Sequence, residues 1–494
     1  MKYFAFAVIF LFFIGLPLLF LSWYRRSLSR RHYAALAAAA LDKGQGYYAT
    51  PYLRRIVDRL LKLRNFAALE KLLKGETAPA AKFLAARGYS FEAAVLEAFS
   101  RPSVAAARFQ ARVKSNPADN EALAELAKLS HLLGKTSRSR LAAEKIGAKA
   151  TAYASGIRLY FAMLGAAADR DLQRAVDYGV RANRRFAKSK AWYEEARSLV
   201  FLGTVYRVSS LFDAAYIMYK TAENIGRRLK SPVLTTEALA NLGMLMMTEN
   251  RFSEAADFLA EAAKTARKHK LDGYLAELGN QRALLKLLTA SPAAAERYAQ
   301  TALERHTRLK NRGGQAFSYE LLSHAAKEKA DYPAMVSRAS QAEAAYKGSD
   351  NISAYLESMY LRAEGLFLQA KNRLGGKKYL ESAETVLRRI LMIAKKKSGC
   401  FHAANAYTLL GLIFLRRKEY ARARALFNQS LALEQKDERI TGIAADFANI
   451  GLTEKLCGNR EQARKNLQAA LEYAAVDPES DFYKQLQQRL AELD

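Results

Sequence analysis

The residue types that carry out chemistry are present in this sequence, but their spacing does not assemble them. Six histidines are scattered, and a lone one such as His324 is more often an exposed or packed residue than a catalytic one. Cys400 and Cys457 lie far apart, which fits neither a disulfide framework nor a metal-ligand spacing. No G-x-x-x-x-G-K, G-x-G-x-x-G or H-E-x-x-H occurs, so phosphate-loop, dinucleotide and zinc-hydrolase chemistry have no motif to rest on. Serines, cysteines and carboxylates show no grouping of nucleophile with base. The expectation is a protein that binds and does not catalyse, with no cofactor and no metal.

Charge is the stronger signal. The 494 residues carry 78 Lys plus Arg against 48 Asp plus Glu, a formal net charge of +30. A field of that size attracts acidic proteins, anionic headgroups or nucleic acid. The cations recur with a period: Arg184, Arg185, Lys188 and Lys190; Arg227, Arg228 and Lys230; Arg267, Lys268 and Lys270; Arg305, Arg308, Lys310 and Arg312; Lys395, Lys396 and Lys397. Cations at helix C-termini are favoured by the dipole by about 0.3–1 kcal/mol, which accounts for their placement. Their number, and the scarcity of acids beside them, points to a basic ridge that meets an acidic partner or an anionic membrane face. Nucleic acid is disfavoured, because no basic-aromatic single-strand platform or groove-reading motif is present.

The elements that position these residues follow from a repeat. Leu199, Leu202, Gly203, Tyr206, Phe212, Ala215, Tyr219 and Ala222 are matched one period later by Leu239, Leu242, Gly243, Met246, Phe252, Ala255, Leu259 and Ala262. The small position continues through Ala283, Ser323 and Ala363. It reaches Gly411 after an insertion at Asn372–Lys378, and then Gly451. Backwards, Met163 stands where a small residue is expected. Upstream the period shortens to 34, through Tyr89, Ala93, Ala105, Phe109 and Pro117 and then Leu123, Leu126, Ala127 and Gly134. Apolar residues at i, i+3, i+4 and i+7 make each unit two amphipathic helices joined by a turn. One pair cannot bury its apolar face, whereas stacked pairs can. Phe482, Leu486 and Leu490 make 478–494 a capping helix.

The pattern resembles the tetratricopeptide repeat, W-x2-L-G-x2-Y, then A-x3-F, then P. Leu199, Leu202, Gly203, Tyr206, Ala215 and Tyr219 carry it, as do Tyr407, Leu410, Gly411, Phe414, Tyr420, Ala423 and Phe427. The 40-residue period is similar to the longer-helix variants of kinesin light chains and of peptide-binding bacterial regulators. The resemblance implies an all-α, right-handed superhelical solenoid of antiparallel helix pairs, with a concave groove lined by the first helix of each pair. It places Arg197, Thr204, Arg207, Asn241, Met244, Met247, Asn280, Gln281, His324, Tyr360, Phe367, Asn405 and Asn449 along that groove, facing a peptide or protein partner. An asparagine amide there can donate to and accept from a bound backbone. The lysine–asparagine pair of the family's carboxylate clamp is missing from every repeat.

Residues 3–24 contain no charge between Lys2 and Arg25. A helix of that length, rising about 1.5 Å per residue, spans the hydrocarbon layer. Trp23 and Tyr24 sit where interfacial aromatics belong, and no small-residue cleavage site follows. The expected organisation is an anchor over 1–24, a basic juxtamembrane helix or linker over 25–49, degenerate helix pairs over 50–117, repeats over 118–477 and a cap over 478–494. Arg25, Arg26, Arg30 and Arg31 outnumber Lys2, so the positive-inside rule puts the solenoid in the cytoplasm of a bacterial inner membrane, with the periplasm as the alternative. The function expected is a membrane-anchored scaffold organising a multiprotein assembly. The alternatives are a peptide-sensing regulator, or a periplasmic envelope or motility assembly factor.

Overall fold

The computed structural model describes residues 51–63, 65–73, 76–349, 351–371, 376–397 and 400–493. The expected anchor over 1–24 and the basic segment over 25–49 lie outside the described residues. Among the described residues no helix is long and apolar enough to cross a membrane.

The chain divides into two compact units, Met1–Tyr274 and Leu275–Asp494. In the first unit come α1 (Pro51–Lys62), α2 (Phe66–Leu73), α3 (Thr77–Ala86), α4 (Ser90–Glu97), α5 (Pro102–Ser115), α6 (Asn120–Leu132), α7 (Thr136–Glu144), α8 (Ala152–Ala168), α9 (Leu172–Ser189), α10 (Trp192–Val208), α11 (Phe212–Arg228), α12 (Pro232–Thr248) and α13 (Phe252–Lys268). The unit boundary falls early in α14 (Asp272–Leu288). Then follow α15 (Pro292–Arg308), α16 (Arg312–Glu328), α17 (Tyr332–Tyr346), α18 (Ile352–Lys371), α19 (Gly376–Lys397), α20 (Cys400–Arg416), α21 (Tyr420–Lys436), α22 (Ile440–Leu456), α23 (Arg460–Ala474) and α24 (Asp481–Ala491). Every described element is a helix. Helices adjacent in sequence pack together within each unit, α8 with α9 and α20 with α21 among them, as stacked pairs require.

The 40-residue period resolves into two halves of 20. The helices α10 to α16 are of equal length, 17 residues each. From α8 to α16 every helix is closed by one left-handed residue. Those residues are Arg170, Lys190, Ser210, Lys230, Asn250, Lys270, Ala290, Lys310 and Ala330, all at positive φ. Each turn closes in the same way: Ser210 N–H donates to the Arg207 carbonyl and Leu211 N–H to that of Tyr206. This paired closure satisfies carbonyls that the helix end leaves bare. Every second left-handed position is a lysine, at 190, 230, 270 and 310, which sets the basic clusters at the ends of second helices.

First and second helices bury themselves differently. α11 hides a narrow stripe that includes Ala215, Tyr219, Ala222 and Ile225. α12 hides residues nearly all round, from Leu234 to Met247, because it packs against the second helices on either side of it and against the neighbouring first helix α10. Met246 and Met247 are both in this core.

Within each pair, one facing position recurs at an interval of 16. A Cβ on Gly203 would stand 2.7 Å from the Tyr219 ring, one on Gly243 2.7 Å from Leu259, one on Gly411 2.5 Å from Phe427 and one on Gly451 2.9 Å from Leu467. At the same interval Ala283 and Ala299 share one buried cluster. The exception at Met163 is a reversal: a Cβ on Gly179, the facing residue at that interval, would lie 2.7 Å from Met163 Sδ. The pair keeps its volume with the large residue on the first helix.

This close facing contact predicts coupling. Gly203→Ala is expected to destabilise by about 1–3 kcal/mol through overpacking, and Tyr219→Ala by about 3–5 kcal/mol through a cavity. The double variant, which reproduces the Ala283–Ala299 pair, should cost at least about 0.5 kcal/mol less than the sum. Urea denaturation of the four chains measures this, and strict additivity would refute it.

Candidate functional site

In unit 1, three successive first helices surround a cavity of about 210 Å³. α6 contributes Lys128, His131 and Leu132, α8 contributes Ile157, Tyr160 and Phe161, and α10 contributes Tyr193, Glu194 and Arg197, over a floor formed by Phe186 of α9. The walls are apolar and aromatic. His131 and Phe161 meet edge to face at 5.5 Å, and Leu132 is 53% exposed although it is a leucine beside a core.

A buried polar quartet underlies this cavity. Lys128 Nζ donates to Glu194 Oε1 at 2.8 Å and to the Tyr153 hydroxyl at 2.6 Å. Tyr153 in turn donates to Glu125 Oε1 at 2.6 Å. Burial pushes the Tyr153 phenol well above its ordinary range, and the charges of Glu125 and Glu194 add to the rise, so it stays protonated as a donor. Glu194 is buried, and its Oε2 has no hydrogen-bond partner. A buried charged oxygen left without a donor costs free energy, about 1–3 kcal/mol or more.

Arg197 stands at the rim, half-buried; burial works against its charge, but the neighbouring Tyr160, Glu237, Tyr193 and Tyr274, of which Glu237 is the acid, outweigh it and keep the guanidinium protonated. Burial raises the Glu237 carboxyl, while Arg197 and a hydrogen bond from Tyr274 oppose the rise. Burial lowers the His131 imidazole, and the Arg197 charge lowers it further, so this histidine is neutral at neutral pH.

Of the groove positions expected from sequence, Arg197 is the one that lines this cavity. Thr204, Arg207, Met244, His324, Tyr360, Phe367, Asn405 and Asn449 are half-buried on their first helices. Asn241 Nδ2 donates to the Glu237 carbonyl of its own helix at 2.8 Å, so that donor is already engaged. Asn280 corrects the expectation. It is wholly buried in unit 2, where Ser318 Oγ donates to its Oδ1 at 2.8 Å and its Nδ2 approaches the Gly314 carbonyl at 3.4 Å. A Cβ on Gly314 would collide with the buried His306 ring, so a glycine there lets this polar core form. Sequence reasoning missed Glu125, Lys128, Tyr153, Glu194 and Glu237. The available signal was a charged residue on an otherwise apolar helix, as in Ala-Leu-Ala-Glu125-Leu-Ala-Lys128.

The basic positions divide. Arg184, Arg185, Lys188, Lys190, Lys230, Arg267, Lys268 and Lys270 of unit 1 are exposed, as are Arg308, Lys310 and Lys395 of unit 2. Arg227 instead bonds Glu223 at 2.7 Å and Glu261 at 2.6 Å, and Arg228 lies over the Trp192 ring at 5.0 Å. The Lys396 side chain lies outside the described residues. Among the described residues no group of three or more His, Cys, Asp or Glu is placed to hold a metal ion.

No family model matches the chain, and no curated protein matches it. Among solved structures it is similar to a signal-transduction ATPase with numerous domains, carrying a tetratricopeptide repeat sensor, from Pyrococcus horikoshii. Identity is 13%, the TM-score 0.51, and the match covers 72% of this chain and 51% of that one, so it spans about half of that protein. The likeness shows the fold: helix pairs of the tetratricopeptide type. The chain is also similar, at a TM-score of 0.43 and 14% identity, to the apo quorum sensor NprR from B. thuringiensis, over 68% of this chain and 97% of that one.

The buried carboxylates of unit 2 give a pH signature. Glu320 is buried, accepts from Ser358 Oγ at 3.0 Å and from the Tyr346 hydroxyl at 3.5 Å, and is pushed up to about 7 by burial, with the nearby Glu357 charge adding to it. Its folded pKa exceeds the unfolded value, so the stability it contributes is full below about pH 4.5 and is lost as pH rises through about 7. Glu320→Gln keeps both hydroxyl partners and removes the charge. It is expected to stabilise unit 2 at pH 8, by at most about 3 kcal/mol, and to leave pH 4.5 nearly unchanged. Hydrogen exchange along α16 at the two pH values reads this. An equal gain at both pH values would contradict it.

Proposed function

We propose that this chain is a non-enzymatic binding scaffold that holds a peptide or partner segment along the first-helix face of unit 1. The observation that carries the reading is the cavity itself, walled by Tyr160, Phe161 and Tyr193, with Arg197 at its rim and the exposed Leu132 beside it. An arriving peptide seats an apolar side chain against Leu132 and Phe161 and offers a carbonyl or carboxylate to Arg197. The free energy comes from the aromatic and leucine anchors, and the buried charges set register and selectivity.

A displayed peptide library panned against the full chain tests this. Selected peptides are expected to lose affinity about tenfold or more with Leu132→Asp, Tyr193→Ala or Arg197→Ala, as interface anchors do. Charge reversal at Arg267 and Lys268, away from the cavity, should leave them unchanged. Peptides that bind the Leu132→Asp chain as tightly as the wild type would sink the proposal.

We place the chain at a membrane through residues 3–24, on the strength of their unbroken apolar run. Arg25, Arg26, Arg30 and Arg31 favour the cytoplasmic side for the repeats. Alkaline phosphatase fused after Asp494 and produced in full in a bacterial host is expected to be inactive. An active fusion would put the repeats in the periplasm.

A further inference from the structure

A second concavity of unit 1, about 320 Å³ between α8 and α9, is lined by five cationic side chains: Arg158 from α8, and Arg181, Arg184, Arg185 and Lys188 from α9. The four on α9 stand at i, i+3, i+4 and i+7, which is one helix face. The remaining lining, Ala148, Ser155 and Leu159, includes no acid.

The helix dipole explains part of this cluster. Arg185 and Lys188 lie in or next to the last turn of α9, where a cation gains about 0.3–1 kcal/mol. Arg158 and Arg181 sit in mid-helix, where the dipole offers nothing. Both are nevertheless oriented: Arg158 Nη1 donates to the Ile146 carbonyl at 3.1 Å, and Arg181 Nη1 to Asp177 at 2.9 Å. Five like charges around one small volume repel each other, and one carboxylate outside the lining does not balance them.

We propose that this cleft is an oxyanion site for a phosphate group. A phosphate presents several oxygens to several guanidiniums at once and carries more than one negative charge, which matches a site of four arginines and a lysine better than a single carboxylate does. The same group arrives either on a free phosphorylated compound or as the headgroup of an anionic lipid. The site is separate from the peptide cavity, whose lining includes none of the five cations, and does not depend on it.

Calorimetric titration of the full chain with inorganic phosphate tests the proposal. The wild type is expected to bind one phosphate, more weakly as salt rises, and to melt at a higher temperature with it. Arg184→Ala/Arg185→Ala, both exposed positions, should bind about tenfold or more weakly, and Arg158→Lys should bind at an intermediate level. Without phosphate, the double variant should melt no lower than the wild type, which separates loss of the site from loss of the fold. Repeating the titration in vesicles of phosphatidylcholine with and without phosphatidic acid distinguishes the sources. A weaker apparent affinity with phosphatidic acid identifies the headgroup as the competitor, and an unchanged one identifies a free compound. Equal phosphate binding by wild type and double variant, or none by the wild type, would overturn the site.

Discussion

The whole structure depends on how closely the two helices of a pair can approach at one facing position. Two axes come together only where one side chain is missing or nearly so, and interiors this dense tolerate neither a void nor an extra methylene. The chain meets that constraint at an interval of 16, with Gly against Tyr219, Leu259, Phe427 and Leu467, and Ala283 with Ala299. The pairing of Met163 with Gly179 shows that either helix can carry the small residue. Once that approach is set, the equal-length helices and their left-handed turns carry it from pair to pair.

Close approach has a consequence for polarity. A second helix buries only a stripe and can place its charges in water. A first helix such as α12 is buried nearly all round, so a polar group in such a buried stretch must find a partner inside. The Glu125–Lys128–Tyr153–Glu194 quartet, the Asn280–Ser318 pair and Glu320 with Ser358 are three solutions to the same problem. Glu320 shows a further one: a carboxyl pushed to about 7 can take a proton where no cation is near.

Much of the fold was legible because its determinants repeat. Gly203, Gly243, Gly411 and Gly451 gave the phase, and cation clusters such as Arg267, Lys268 and Lys270 marked the ends of second helices. The 20-residue half-period was less visible, because its left-handed positions are lysine, serine, arginine and alanine more often than the glycine or asparagine that mark such turns. The site was less legible still. A groove position and a core position on a first helix share one sequence signature, a polar residue in an apolar run. Arg197 and Asn280 look alike by that signature, yet one rims a cavity and the other is fully buried. What separates them is what packs around each: Gly314 admits the His306 ring and the Ser318 hydroxyl and closes the space around Asn280, whereas Arg197 shares a cavity with Tyr160 of the preceding first helix and Tyr193 of its own.

The same reasoning separates the two charged features of unit 1. At the cavity among α6, α8 and α10 the charges are few and mostly paired, and aromatic rings make up much of the wall, so apolar contact and shape set what it can hold. At the α8–α9 cleft the charges are many and of one sign, so they select a class of ligand by its charge and number of oxygens, not by its shape. A solenoid can hold both, because each lies on a different surface of the same helices: the cavity among first helices, the cleft where a first and a second helix meet. Neither lining includes Met163 or Gly179, the facing residues of α8 and α9, so both features are built beside the contact that keeps the pair together.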